Sequence, residues 1–276
     1  MEIDPNHIPS LSNIAGILVT KGQYDEALVS YQKIIERNPL DVWTYRVMGA
    51  LYAILEIDDK ALEAYEHALS IAPNDFNTLL FLSQFYVLTQ DQLKARETLE
   101  KFNALDPENA LVNELCADLA LNISDSLGAI YLQRAINCKD YNAQVNYPVP
   151  LGMGYVLWEE GKQQDALVWL DESLAWAQQK LKGSTDKNSI YFVMAQNYAI
   201  RGKNQEALDW LEKAIAEGNP DARNFRTDHR LKNIHKEPRF ISMMADLDKK
   251  TAAMRVKVLA NGNKNKSHVN DTSAVN

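Results

Sequence analysis

The sequence predicts an all-α solenoid of stacked helix–turn–helix pairs, closed at its C-terminal end by a helical cap. Three observations predict it. Pro5, Pro39, Pro73 and Pro107 stand 34 residues apart, three intervals running. Proline lacks a backbone donor and pushes its predecessor out of the α region, so helices end there, and a terminator at a constant stride marks a repeated unit. Between the prolines, apolar residues recur at three and four residues, the spacing of one helix face. Beyond residue 221 the stride is lost, but an amphipathic segment follows that suits a terminal cap.

The first unit, residues 8–41, places Leu11, Ile14, Ala15 and Leu18 on one helix and Ala27, Tyr31 and Ile34 on the next, with Pro39 closing. The second, 42–75, repeats this with Tyr45, Met48, Gly49 and Tyr52, then Ala61, Tyr65, Ala68 and Pro73. The third, 76–109, carries Leu79, Leu82, Ser83 and Tyr86, then Ala95, Leu99, Phe102 and Pro107. Small Gly49 and Ala61 let the paired backbones approach, and short polar turns such as "KGQYDEA" and "IDDKA" join them. Neither helix can bury its second apolar face within its own pair, so each unit stacks on the next.

The later units drift. The fourth, about 110–140, keeps Cys116, Ala117, Gly128, Leu132 and Ala135 but is one residue short and lacks the proline. "CKDYNAQVNYPVP" reads as a linker, with Pro148 and Pro150 opening the next helix. The fifth unit resumes with Gly154, Gly161, Ala166 and Leu170, and its second helix extends towards Gly183 as a C-terminal cap. The sixth, 188–221, carries Tyr191, Met194, Ala195, Tyr198, Gly202, Ala207, Leu211, Ala214 and Pro220. A short helix around Leu231 and Ile234 follows, then a longer one from Pro238 whose inner face holds Phe240, Ile241, Met244, Leu247 and Met254. The expected organisation is thus a remnant of a preceding repeat (1–7), repeats one to four (8–140), repeats five and six (141–221), a cap (222–259) and a tail without structure (260–276). Pro5 sits where a unit would close, so the chain is expected to begin inside a longer array or after an upstream domain.

These slots, W-x2-L-G-x2-Y, then A-x3-F-x2-A, then P, resemble the tetratricopeptide repeat over residues 5–221. The resemblance implies a right-handed α-solenoid that binds a protein or peptide partner and does no chemistry. Members of the family line a concave groove with positions of their first helices. By register these are Asn13, Trp43, Arg46, Asn77, Gln84, Glu114, Asp118, Tyr155, Trp158, Phe192 and Gln196, with Leu80 and Val87 beside them. The alternative for each aromatic is packing between neighbouring helices, and for each polar residue ordinary solvated surface. Chaperone-binding members clamp a terminal carboxylate with cationic residues. The matching positions here hold Ser12, Gly16, Asn77 and Phe81, so that ligand is excluded. The later stretch from "LGMGYVLWEEGKQQDALVWLDESL" to "EPRFISMMADLDKKTAAMRVKV" is similar to C-terminal tetratricopeptide regions of bacterial multidomain proteins. That likeness implies an alternative function, the regulatory end of a cyclase, kinase, sulfatase or winged-helix regulator.

Composition excludes other classes. A formal charge of −8 argues against nucleic acid, whose binding relies on clustered Lys and Arg. No apolar run approaches the ~20 residues of a membrane span, and no signal peptide opens the sequence, which leaves cytoplasm and periplasm both open. Two cysteines, Cys116 and Cys138, are too few for a zinc site; they read as packed thiols, with a disulfide across one hairpin as the alternative. "DHRLKNIH" brings Asp228, His229 and His235 close in sequence, but a spacing of six sets the histidines on different helix faces. No phosphate loop, "HExxH" or "GxSxG" occurs, so neither cofactor nor metal is expected. A homodimer through an uncapped N-terminal face is the remaining expectation for partners.

Overall fold

The structure, a computed structural model, describes residues 7–123, 126–142, 148–185, 187–218 and 221–272. Pro5, Pro220 and most of the expected remnant at 1–7 lie outside these residues, as does part of the linker. Every regular element among the described residues is helical. In order they are α1 (Ile8–Thr20), α2 (Tyr24–Arg37), α3 (Val42–Ile54), α4 (Asp58–Ile71), α5 (Phe76–Leu88), α6 (Gln92–Asn103) and α7 (Ala110–Asn122). Then follow α8 (Leu127–Asn137), α9 (Pro148–Glu159), α10 (Gln163–Leu181), α11 (Lys187–Ile200), α12 (Asn204–Ala216), α13 (Ala222–Thr227), a 3-10 turn (His229–Leu231) and α14 (Pro238–Thr272). The helices pair as hairpins, α1 with α2, α3 with α4, α7 with α8, α9 with α10 and α11 with α12. The protein is therefore an all-α helix-pair repeat with one longer terminal helix.

The joints repeat as faithfully as the apolar slots. Gly22, Glu56 and Gln90 stand 34 residues apart with φ of 70°, 53° and 60°, and Gly161 and Gly202 take the same left-handed conformation. Each allows the next N–H to reach back five residues: Gln23 to Leu18, Ile57 to Tyr52, Asp91 to Tyr86, Lys162 to Leu157 and Lys203 to Tyr198, at 2.9–3.0 Å. This is the Schellman closure of a first helix, at which glycine avoids the ~1 kcal/mol strain that Glu56 and Gln90 carry. At the other joint, Asp41, Asp75 and Asn109 recur at the same stride. Asp75 accepts the Thr78 N–H at 2.8 Å, Asn109 accepts that of Val112 at 3.1 Å, and Asp41 accepts the Thr44 hydroxyl at 2.8 Å. Each such cap satisfies a donor the helix start leaves open.

The chain divides into two compact units, 1–78 with 246–276, and 79–245. In the first, Leu11, Ala15, Tyr24, Ala27, Leu28, Tyr31 and Ile34 from α1 and α2 join Met48, Leu51 and Leu55 of the second hairpin. Val258 of α14 completes this core, with Met254 packed at its edge. Arg255 ties the contact down, its Nε donating to the Leu55 carbonyl at 2.7 Å and its Nη2 to the Glu56 carboxylate. Gly49 is needed for α3 to meet α4, because a Cβ there would lie 2.7 Å from the Tyr65 ring.

In the second unit, Leu151, Leu170, Ala177, Ile190, Met194 and Ile200 form the core of the fifth and sixth hairpins. The first helices α7, α9 and α11 lie side by side, α9 touching both neighbours. Phe225, Leu231, Ile234, Phe240 and Met244 are all buried.

Four expectations need correction. The backbone of α14 is helical through Thr272, into the stretch expected to lack structure, which contains no proline to stop a helix. Ile241 is 57% exposed, because the buried stripe runs through Phe240, Met244 and Leu247 instead. α10 ends at Leu181 without a left-handed Gly183. Tyr52 and Tyr198 are half-buried rather than enclosed, and Lys60 and Lys203 cover their rings at 5.5 and 5.9 Å.

Candidate binding groove

Two adjoining cavities of about 350 and 190 Å³ open on the second unit, sharing Asp118, Phe192, Asn224 and Arg230. The larger is walled by Glu114 and Leu115 of α7, Leu151 of α9 and Asn188, Val193 and Gln196 of α11. The smaller is walled by Gln84, Val87 and Leu88 of α5 and by Leu119 and Asn122 of α7. Apart from Asp221, Asn224 and Arg230, every lining residue comes from the first helix of a pair. The physical reason is the repeat itself: second helices are committed to packing against their partners, while the first helices adjoin one another.

The register-derived residues meet different fates. Gln84, Glu114, Asp118, Phe192 and Gln196 all line the groove. Tyr155 is buried, and Trp158 packs against the core of the second unit rather than the cavity. In the first unit Asn13 and Asn77 are exposed, Trp43 meets Tyr31 edge-on at 5.8 Å, and Arg46 is bonded to Asp75 at 3.0 Å. The Asp75 carboxyl is held below its usual range, since two hydrogen bonds from Thr78 and the Arg46 guanidinium outweigh its partial burial.

A buried polar network forms one wall, and sequence reasoning missed its centre. Asp228 accepts from Arg230 Nε at 2.8 Å, Arg230 Nη2 at 2.9 Å, the Arg230 backbone N–H at 2.9 Å and Gln196 Nε2. Arg230 Nη1 donates to Asp118, 112 residues earlier. Burial alone would raise the Asp228 carboxyl, but the Arg230 guanidinium and these hydrogen bonds hold it below the usual carboxylate range. The segment read as a surface loop thus reaches back into the groove. His235 serves the same packing, its Nε2 lying 3.1 Å from the Phe225 carbonyl. No group of His, Cys, Asp or Glu among the described residues could hold a metal ion. Cys116 and Cys138 are free thiols, and burial pushes the Cys116 thiol up to about 12. No helix among the described residues is long and apolar enough to cross a membrane.

Residues 8–39 match a family model of the tetratricopeptide repeat, and the hairpins that follow repeat that unit at its own stride. The chain is a tetratricopeptide-repeat protein. Among curated proteins, this tetratricopeptide protein is similar to mouse protein O-mannosyl-transferase TMTC1, 34% identical over 101 residues, which is 35% of this chain. It spans only 11% of that relative's length. Two solved structures share the tetratricopeptide fold at a TM-score of 0.52. PilW, a type IV pilus biogenesis factor, is 18% identical, and the alignment covers 82% of this chain and 97% of PilW. The Cut9–Hcn1 assembly of the APC/C is 19% identical, with 90% of this chain and 43% of that chain covered.

Proposed function

We propose that this protein is a non-catalytic scaffold that grips an extended peptide in the groove of residues 79–245. One observation carries the reading: the cavities are walled by first helices and combine aromatic, apolar and amide side chains without any assembled nucleophile, base or metal site among the described residues. Rigid helices hold that surface in place before binding, so the partner bears most of the ordering cost. Gln84 is exposed inside the smaller cavity, so Gln84→Trp fills the groove without touching the core. Peptides selected from a random display library by the wild-type protein are expected to lose at least about tenfold in affinity for Gln84→Trp, the scale of one blocked anchor. Selected peptides that bind both proteins equally would place recognition elsewhere.

A second reading, self-association through α1, is favoured by two residues. Ile14 and Ile17 are 49% and 54% exposed, whereas their register equivalents Met48 and Leu51 are 5% and 2% exposed, and Met194 and Asn197 are 3% and 0% exposed. That face is a stacking face in later units. If two copies meet there, Ile17→Lys is expected to convert a concentration-dependent dimer to a monomer in sedimentation equilibrium. A wild-type protein that stays monomeric at every concentration removes this reading.

A further inference from the structure

The groove is rich in acceptors and short of cations. Glu114, Asp118 and Asp221 line it, and Asp228 lies directly behind. Against these four carboxylates stands Arg230, the one lining cation among the described residues, and each of its three guanidinium nitrogens already donates to Asp118 or Asp228. Glu114 is only 4% exposed, so its carboxylate faces a low-dielectric surround rather than bulk water. Asn188 adds an independent observation: its Oδ1 is buried in the wall of the larger cavity with no hydrogen-bond donor. A buried acceptor without a donor is a cost that an incoming donor relieves. An anionic ligand would find no uncommitted guanidinium nitrogen, and a divalent cation would find no ligand cluster among the described residues.

Resting on the peptide-groove reading above, we propose that the groove selects a peptide through a lysine or arginine side chain. The cationic head lodges by Glu114 and Asp118, and its alkyl stem lies along Phe192, which lines both cavities. The amides of Gln84 and Asn224 flank the path and are placed to bond the peptide backbone. The combined cavities have room for one such side chain and the residues on either side of it.

The test is fluorescence anisotropy with a fluorescein-labelled dodecapeptide of alternating alanine and arginine, and its glutamine and glutamate counterparts. The arginine peptide is expected to bind at least about tenfold more tightly than the glutamine one, with an affinity that falls as salt rises. Glu114→Gln is expected to weaken it at least about fivefold, and Gln84→Arg to abolish it, while Glu97→Gln on an exposed helix face leaves it unchanged. Gln84→Arg leaves the Asp228–Arg230 network intact, so its outcome does not depend on whether Glu114→Gln folds well. Equal weakening by Glu97→Gln and Glu114→Gln would mean diffuse attraction to an acidic protein and overturn the proposal. Equal or tighter binding of the glutamine or glutamate peptide, blocked by Gln84→Trp, would overturn the cationic preference while the peptide groove stands. If none of the three binds, the cationic assignment falls, and the library selection decides the groove separately.

Discussion

Asp228→Ala is expected to destabilise the protein by about 3–5 kcal/mol, the cost of leaving a buried charge without its partner. Asp228 is 1% exposed and accepts three hydrogen bonds from Arg230 and one from Gln196. Its removal leaves the guanidinium with Asp118 alone, a carboxylate whose side chain is 37% exposed and better solvated. The effect depends on pH with a definite sign. The Asp228 carboxyl is held below its unfolded value of about 3.9, so its contribution is present above that pH and lost as pH falls through the folded value. Urea denaturation at pH 7 should therefore separate wild type and Asp228→Asn clearly, and the gap should narrow in acid below about pH 4. A gap that stays constant from pH 7 into acid, or an Asp228→Ala protein less than about 1 kcal/mol weaker, would show that the network is not load-sharing in this way.

Much of the architecture was legible because the repeat writes the same physical instruction several times. Tyr31 and Tyr65 hold the same slot and are both buried, at 2% and 1% exposure, and the alanines at 27, 61 and 207 are fully buried. The joints were less legible for a chemical reason. Glu56 and Gln90 occupy left-handed positions that glycine marks elsewhere, so a reader searching for glycine passes over them. Of the groove, Gln84, Glu114, Asp118, Phe192 and Gln196 were found by register alone, since stacking fixes which helix positions stay uncommitted. Asn224, Asp228 and Arg230 were not, because residues 222–231 leave the repeat and meet α7 and α11 through long-range bonds that no periodicity encodes. Arg46 and Asp118 were picked as free groove residues and are in fact ion-paired, so alanine at either position costs stability as well as any binding. The Asp-x-Arg spacing of Asp228 and Arg230 was the available signal: a carboxylate two residues from a guanidinium in an apolar segment suggests a paired, buried unit.

Tyr65→Ala is expected to cost about 3–5 kcal/mol, as for other fully buried aromatic truncations, and its coupling to Gly49 tests the packing logic of the hairpin. The Tyr65 ring is 1% exposed and lies against the bare backbone of Gly49, where a Cβ would stand 2.7 Å from one ring carbon and 2.8 Å from the next. Gly49→Ala alone therefore sets about 1 kcal/mol of gained helix propensity against overpacking of about 1–3 kcal/mol, and a net loss is expected. In the double variant the added methyl enters the space the ring vacates. Its steric penalty disappears and its propensity gain remains, so the double variant should be more stable than Tyr65→Ala alone. The coupling energy from the four proteins, measured by urea denaturation, is expected to exceed about 1 kcal/mol in the compensating direction. Additive losses would mean that α3 and α4 do not meet through this ring and this glycine, and that the close approach of paired helices has another cause.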